Sequence, residues 1–159
     1  MKKIKLTQGK WTLVSDEDYE YLNQWKWYAL KGHKTFYAVK NSPRVNGKHT
    51  LILRHRVIAE RMGIKNPDHA DCNGLNNQRN NLRAATVNQQ QINRSLQSNN
   101  TSGYKGVYWS KNVKKWRGQI WVNYKRVHLG YFDNIKDATR AYNKAALKYF
   151  GEFAVLNKV

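Results

Sequence analysis

The sequence holds one cysteine in 159 residues, Cys72. That excludes an internal disulfide, and a lone thiol fits a reducing cytoplasm. Long apolar runs are missing, so no segment reads as a membrane span. The opening Met1-Lys2-Lys3-Ile4-Lys5-Leu6 is basic, but no apolar stretch follows it, so it does not read as a secretory leader. There is no internal repeat. The scarcity that matters most is of acid: 10 Asp and Glu stand against 29 Lys and Arg, for a formal net charge of +19 and a pI of about 10.1. Asp16, Glu17, Asp18 and Glu20 crowd the beginning, and no acidic residue lies between Asp71 and Asp133. A solvated surface normally mixes signs, so a long basic stretch free of acid points to a face kept for phosphates. The 40% hydrophobic content, with plentiful Trp and Tyr, excludes a disordered polycation.

Residues 1–15 read as a hairpin, with strands at Ile4–Leu6 and Trp11–Val14 around a Gln8-Gly9 turn. Ser15 and Asp18 have the spacing of a capping box opening a helix through Asn23. Strands are expected near Trp25, Trp27 and Phe36–Val39, and Asn46-Gly47 is a hairpin signal before a strand at Thr50–Leu53. His55–Met62 has helical patterning, and Pro67 closes off any helix before it. Residues 68–83 are rich in Asn and read as a loop of defined polar geometry, followed by a helix over 84–94. The uncharged, turn-rich run over 95–101 reads as a linker. Beyond it come three short strands, at Lys105–Trp109, Trp116–Val122 and Arg126–Phe132. A helix opens at Asn134, with Ala138, Ala141, Tyr142, Ala145, Ala146 and Tyr149 on its apolar face and Gly151 at its end. The expected class is α+β: a first part over 1–94 that opens β-rich, the linker, and a three-stranded antiparallel sheet packed on one helix over 102–159.

Hydrolysing a phosphodiester takes a nucleophile, a Lewis acid for the developing charge, and a base for water. The adjacent pair Asp68-His69 supplies a hard oxygen for a divalent cation and a side chain that titrates near neutrality. On extended backbone the two point to opposite sides. His55-Arg56, Asp68-His69, Asn73-Gly74-Leu75-Asn76-Asn77 and Asn81-Leu82-Arg83 together resemble the HNH endonuclease family, in its phage homing-endonuclease branch, over residues 53–94. The resemblance implies a ββα-metal fold in which Asp68 binds the metal and His69 is the general base. It makes Asn81 the residue that orients His69, and His55 the leading family histidine, structural or near phosphate. The last metal ligand, commonly Asn or His, falls on Gln90 by register, with Asn93 one turn further as the alternative. One divalent ion is implied, magnesium first and manganese second. Cys72 stands where the family often has Gly.

A second resemblance starts at Ser102-Gly103-Tyr104-Lys105-Gly106-Val107. It continues through Lys115-Trp116, His128-Leu129-Gly130-Tyr131-Phe132-Asp133 and the alanines of the last helix to Gly151. These residues resemble the Apetala-2/ethylene-response-factor DNA-binding domain over residues 100–157. The resemblance implies a sheet lying in the major groove, with Lys105, Tyr108, Ser110, Lys111, Gln119, Trp121, Arg126 and His128 toward DNA. Gln119 has the donor–acceptor pair that suits adenine and Arg126 the fork that suits guanine, whereas Lys111, Lys114 and Lys115 suit phosphate. His33 and His49 match no motif and read as surface residues. The leading expectation is a metal-dependent, site-selective endonuclease of the homing type acting on double-stranded DNA. One centre per chain favours a nick by a monomer, though a dimer also fits. The rival is a DNA-binding regulator with a degenerate nuclease module, favoured by Gln90. RNA binding, through stacking on exposed aromatics, is the third reading.

Overall fold

A computed structural model describes every residue except Ser95, Gln97 and Ser98. Those three fall in the expected linker, whose conformation at these positions lies outside the described residues. The class is α+β, and the chain divides into two compact units, Met1–Asn88 and Gln89–Val159. Among the described residues, no helix is long and apolar enough to cross a membrane.

In the first unit, β1 (Lys2–Lys5) and β2 (Trp11–Val14) form the expected hairpin. Helix α1 (Asp16–Asn23) follows, then β3 (Tyr28–Lys31), β4 (Phe36–Asn41) and β5 (Leu51–Leu53) as an antiparallel sheet. Trp25 and Trp27 lie before β3 rather than in a strand. Trp27 is buried, and its indole N–H donates to Leu22 O at 2.8 Å. Helix α2 (Arg54–Arg61) leads to β6 (Pro67–His69), β7 (Asn76–Asn77), a single 3-10 turn at Arg79–Asn81, and β8 (Leu82–Ala84). The Asn-rich stretch thus carries short strands. Strand β6 pairs antiparallel with β8, and β7 lies parallel to β2, with Leu13 opposite Asn76 and Val14 opposite Asn77. Ile4, Leu6, Val14, Leu22, Ile58 and Leu82 meet in one core beneath these elements.

The capping box does not form. The Ser15 hydroxyl accepts from Arg79 N at 2.9 Å instead of from α1. Asp18 is fully buried, where Arg79 (2.7 Å) and Arg61 (3.1 Å) pair with its carboxylate. Two guanidiniums outbid a backbone amide for that carboxylate because a buried charge without a partner is far costlier than an uncapped helix end.

The second unit opens with part of α3 (Val87–Ile92), shorter than the helix expected over 84–94 because Leu82–Ala84 is spent on β8. Strands β9 (Val107–Ser110), β10 (Lys115–Val122) and β11 (Lys125–Phe132) then form an antiparallel sheet in the order β11-β10-β9. Helix α4 (Ile135–Phe150) covers one face of it. Asn134 caps α4 by accepting from Lys136 N at 2.8 Å, and Gly151 ends it at φ 53°. Val107, Ile120, Ala138, Tyr142, Ala145 and Ala146 make the core. Tyr149, expected there, is exposed. Gly106 sits at φ 74°, and a Cβ on it would lie 2.1 Å from the Tyr142 ring. Only glycine lets the chain enter β9 across that ring.

Candidate active site and nucleic-acid interface

Pairing of β6 with β8 sets Asp68 opposite Arg83 and His69 opposite Leu82. The alternation of side chains then divides the pair. His69 is buried, while Asp68 keeps its side chain 15% exposed, with Arg83 Nη2 3.4 Å from Oδ2. Helix α2 brings His55 in from below. Its ring lies edge-on to that of His69 at 4.9 Å, and Tyr37 stands against both at 5.6 and 6.2 Å. The structure therefore brings His69 and His55 together with Tyr37, while Asp68, next in the chain, faces the other side of β6 with Arg83.

The amide on the His69 ring is not the expected one. His69 Nε2 lies 3.0 Å from Asn77 Oδ1. Asn81 instead donates to Asp71 Oδ1 (2.9 Å) and Asn76 O (2.7 Å) and accepts from Asp71 N (3.1 Å). Asp71 also accepts from Asn73 N and Asn76 Nδ2, so Asp71 and Asn81 staple the loop that carries the site. Asn77 is held by its own partner: its Nδ2 donates to Thr12 Oγ1 at 2.8 Å, and the Thr12 hydroxyl donates to Leu75 O at 2.8 Å. A hydroxyl has one proton to give, and Thr12 gives it to a carbonyl. Its oxygen must therefore accept from Asn77, which turns Asn77 Oδ1 toward His69 as an acceptor. The proton of a neutral His69 ring is then on Nε2, and the basic lone pair is on Nδ1.

The electrostatics keep that ring neutral. Burial lowers the His69 pKa, and the Asn77 hydrogen bond, Asp71 and Asp68 offset this only in part. Burial pushes His55 down to about 3, with the neighbouring His69 and Arg56 adding to the effect. His55 Nδ1 is buried with no hydrogen-bond partner among the described residues. Both imidazoles are thus uncharged at neutral pH, and a neutral ring is the form that accepts a proton from water.

Among the described residues, no three His, Cys, Asp or Glu side chains gather as a metal cage. The donor set does fit an ion of the magnesium type, which takes one or two carboxylates and leaves its other positions to water and phosphate. Asp68 is the carboxylate on hand, held to one side by Arg83. Gln90 lies half-buried on α3 and Asn93 buried just beyond it, both past the boundary at Asn88 and so outside the first unit's cluster. Cys72 adopts φ 61°, a left-handed conformation that glycine would hold without strain.

In the second unit, register sorts the expected DNA-facing residues. Val107, Ile120, Val127 and Leu129 pack toward α4. Tyr108 pairs with Arg117, Gln119 with His128, and Trp121 with Arg126, which puts these six on the opposite face. Tyr108, Trp121, Arg126 and His128 are exposed there; Ser110 is half-exposed at the strand end, and Lys111 is exposed in the turn. Two expected members are not offered on the open face. Lys105 Nζ donates to Ile92 O (2.6 Å) and Arg94 O (2.8 Å), serving as a cationic cap on the carbonyls after α3. Gln119 is only 8% exposed, and its Oε1 is buried with no hydrogen-bond partner among the described residues. Arg117 and Tyr131 belong to the same face, Tyr131 with its ring 4.7 Å from that of His128. Simple alternation from Gln119 and from His128 would have found Arg117 but not Tyr131, because a bulge opposite Gly118/Gln119 shifts β11 by one residue.

An uncharacterized HNH endonuclease of Acanthamoeba polyphaga mimivirus is 29% identical to this chain over 153 residues, covering 96% of the chain and 77% of that protein. An AP2-like ethylene-responsive transcription factor of Arabidopsis thaliana is 41% identical over 59 residues. This is a chain that resembles HNH endonucleases and carries an AP2-like segment. Protein 3.8 of Escherichia phage T7 is 43% identical over 53 residues, a third of this HNH-like chain and 44% of the phage protein. The chain spans 12% of the length of the Arabidopsis protein, so the likeness there is to one segment. No family model and no solved structure matches.

Proposed function

We propose that this HNH-like protein is a metal-dependent endonuclease that hydrolyses a phosphodiester bond in double-stranded DNA. The observation that carries the reading is the state of His69: buried, neutral, tied through Nε2 to Asn77, and next in sequence to the partly exposed Asp68. In this reading His69 Nδ1 takes a proton from the attacking water. Asp68 holds a magnesium ion, whose charge when bound stabilises the charge that develops on the phosphate oxygens. His55 packs against the His69 ring and limits its rotation. The reading extends to a site-selective enzyme of the homing type that nicks as a monomer, since the described residues hold one such centre. The AP2-like sheet holds the duplex through Tyr108, Trp121, Arg126 and His128. Incubation of supercoiled plasmid with magnesium or manganese, with and without chelator, tests this. Metal-dependent nicking that is lost in His69→Ala is the expected result. A His69→Ala protein that still cuts refutes it.

The rival is a DNA-binding regulator whose nuclease half no longer cuts. Two observations favour it: Arg83 already engages the Asp68 carboxylate, and Gln stands at position 90. Salt-sensitive duplex binding with no cutting under either metal would make it the better reading, and Gln90→Asn would then be the first attempt to restore activity.

A further inference from the structure

The first unit has its own acid-free stretch, from Tyr21 to Ala59, and at its middle a ribbon stands out from the sheet. Strands β4 and β5 continue as a two-chain arm over residues 41–51, closed by Val45-Asn46-Gly47-Lys48. Val45 and Lys48 exchange both backbone hydrogen bonds, at 3.0 and 3.1 Å, while Asn46 and Gly47 take positive φ (49° and 75°). This is the tight two-residue turn whose twist matches a right-handed ribbon. Every residue from Pro43 to Leu51 is exposed, so the arm contributes nothing to the core. It is nonetheless ordered. Ser42 N donates to Thr50 O at 2.8 Å, and the Ser42 and Thr50 hydroxyls bond to each other at 3.0 Å.

The side chains on the arm are braced rather than merely solvated. His49 Nδ1 lies 2.9 Å from Ser42 O, a group that can only accept. The His49 proton is therefore on Nδ1, and Nε2 accepts from Arg44 Nε at 3.1 Å. That bond uses the inner N–H of the exposed guanidinium and leaves Nη1 and Nη2 with no hydrogen bond among the described residues. An Arg fork held at its base is preorganised for a planar pair of acceptors.

We propose that the arm over residues 41–51 enters the major groove of duplex DNA, and that Arg44, braced by His49, reads a guanine through its O6 and N7 edge. The proposal rests on the reading that this chain acts on duplex DNA. A two-stranded ribbon fits the major groove of B-form DNA, and guanine presents there the two adjacent acceptors that a fork requires. The deep, narrow major groove of duplex RNA does not admit it. Lys48 beside the turn then lies where phosphates flank the groove, while Lys40 at its base is stacked on the Trp25 ring at 3.5 Å. The second unit's sheet does not have to supply all the specificity.

The test is selection of bound sequences from a pool of duplexes with a randomised centre, using the full chain with chelator present so that cutting plays no part. The wild-type protein, Arg44→Ala, Arg44→Lys and His49→Ala are compared, with circular dichroism as the folding control. The expected result is a guanine preference at one position that falls about 5- to 150-fold in Arg44→Ala and in Arg44→Lys, with the other positions kept. His49→Ala should lose part of the same preference and no other. An unchanged preference in Arg44→Ala overturns the proposal. So does a uniform loss across all sequences, which would make Arg44 a phosphate contact, and so does the absence of any duplex binding. Failure of plasmid nicking alone would count against the nuclease reading and leave this one standing.

Discussion

His69 holds its lone pair on Nδ1 because Leu75 O, Thr12 and Asn77 leave no other arrangement of protons. Thr12→Val keeps the shape and removes the acceptor, so Asn77 is free to turn and the His69 tautomer is no longer fixed. Loss of such supporting partners costs about 10- to 100-fold in activity. The drop should appear in kcat for nicking with KM for DNA unchanged, and Thr12→Ser should recover most of it. His55 makes a separate prediction about pH. Its pKa is about 3 in the folded protein against 6.5 for an unburied imidazole. Between those values the unfolded chain binds the extra proton, so stability is full above about pH 6.5 and is lost as pH falls toward 3. For His55 alone the slope approaches 1.4 kcal/mol per pH unit, or about 2 kcal/mol between pH 7 and pH 5. Urea unfolding at a series of pH values should show this loss in the wild-type protein and a shallower one in His55→Phe.

Elements are where the sequence was most and least legible. The AP2-like unit was readable because its cues are local. Alternation marks three strands, alanine and tyrosine at helical spacing mark α4, and Asn134 and Gly151 mark its ends. The HNH-like half depends on pairings far apart in the chain. No short-range pattern reveals that β7 lies along β2, and so none reveals that Thr12 reaches Asn77 across 65 positions. The choice of Asn81 over Asn77 as the orienting residue followed from this. Asn-rich stretches offer many amides of equal chemistry, and only the strand partner picks the one that faces the histidine. Ser15 failed as a cap for the same reason, since Arg79 reaches it from 64 residues away. Asp18 shows how much rests on such distant ties. Its buried carboxylate joins α1 to the end of α2 and to the turn at Arg79. Asp18→Ala removes the one group both guanidiniums share, leaves them accessible to water, and should cost about 1.5–3 kcal/mol in denaturant unfolding. A change of under 1 kcal/mol would mean that the ties are ornamental.

For the whole molecule the deciding quantity is charge, divided almost evenly: the first unit carries +9 and the second +10. A protein with one docking surface and a neutral catalytic unit would concentrate its excess in one half. Here each half can attract phosphates unaided, which fits a chain that grips a duplex at two places. The consequence is measurable as a salt slope. Each phosphate neutralised contributes about −0.9 to the slope of log K against log salt on B-form DNA. Lys48→Ala in the first unit and Lys111→Ala in the second should each make the slope shallower by about one, equally for all sequences. The double variant should change it by about two, since the sites lie on separate units and share no partner. Arg126→Ala, which removes a fork from the exposed sheet face, should also cost about 1–3 kcal/mol of preference at one base pair. If Lys48→Ala leaves the slope untouched while Lys111→Ala flattens it, the second unit holds the DNA alone, and the charge of the first serves only to bring the two together.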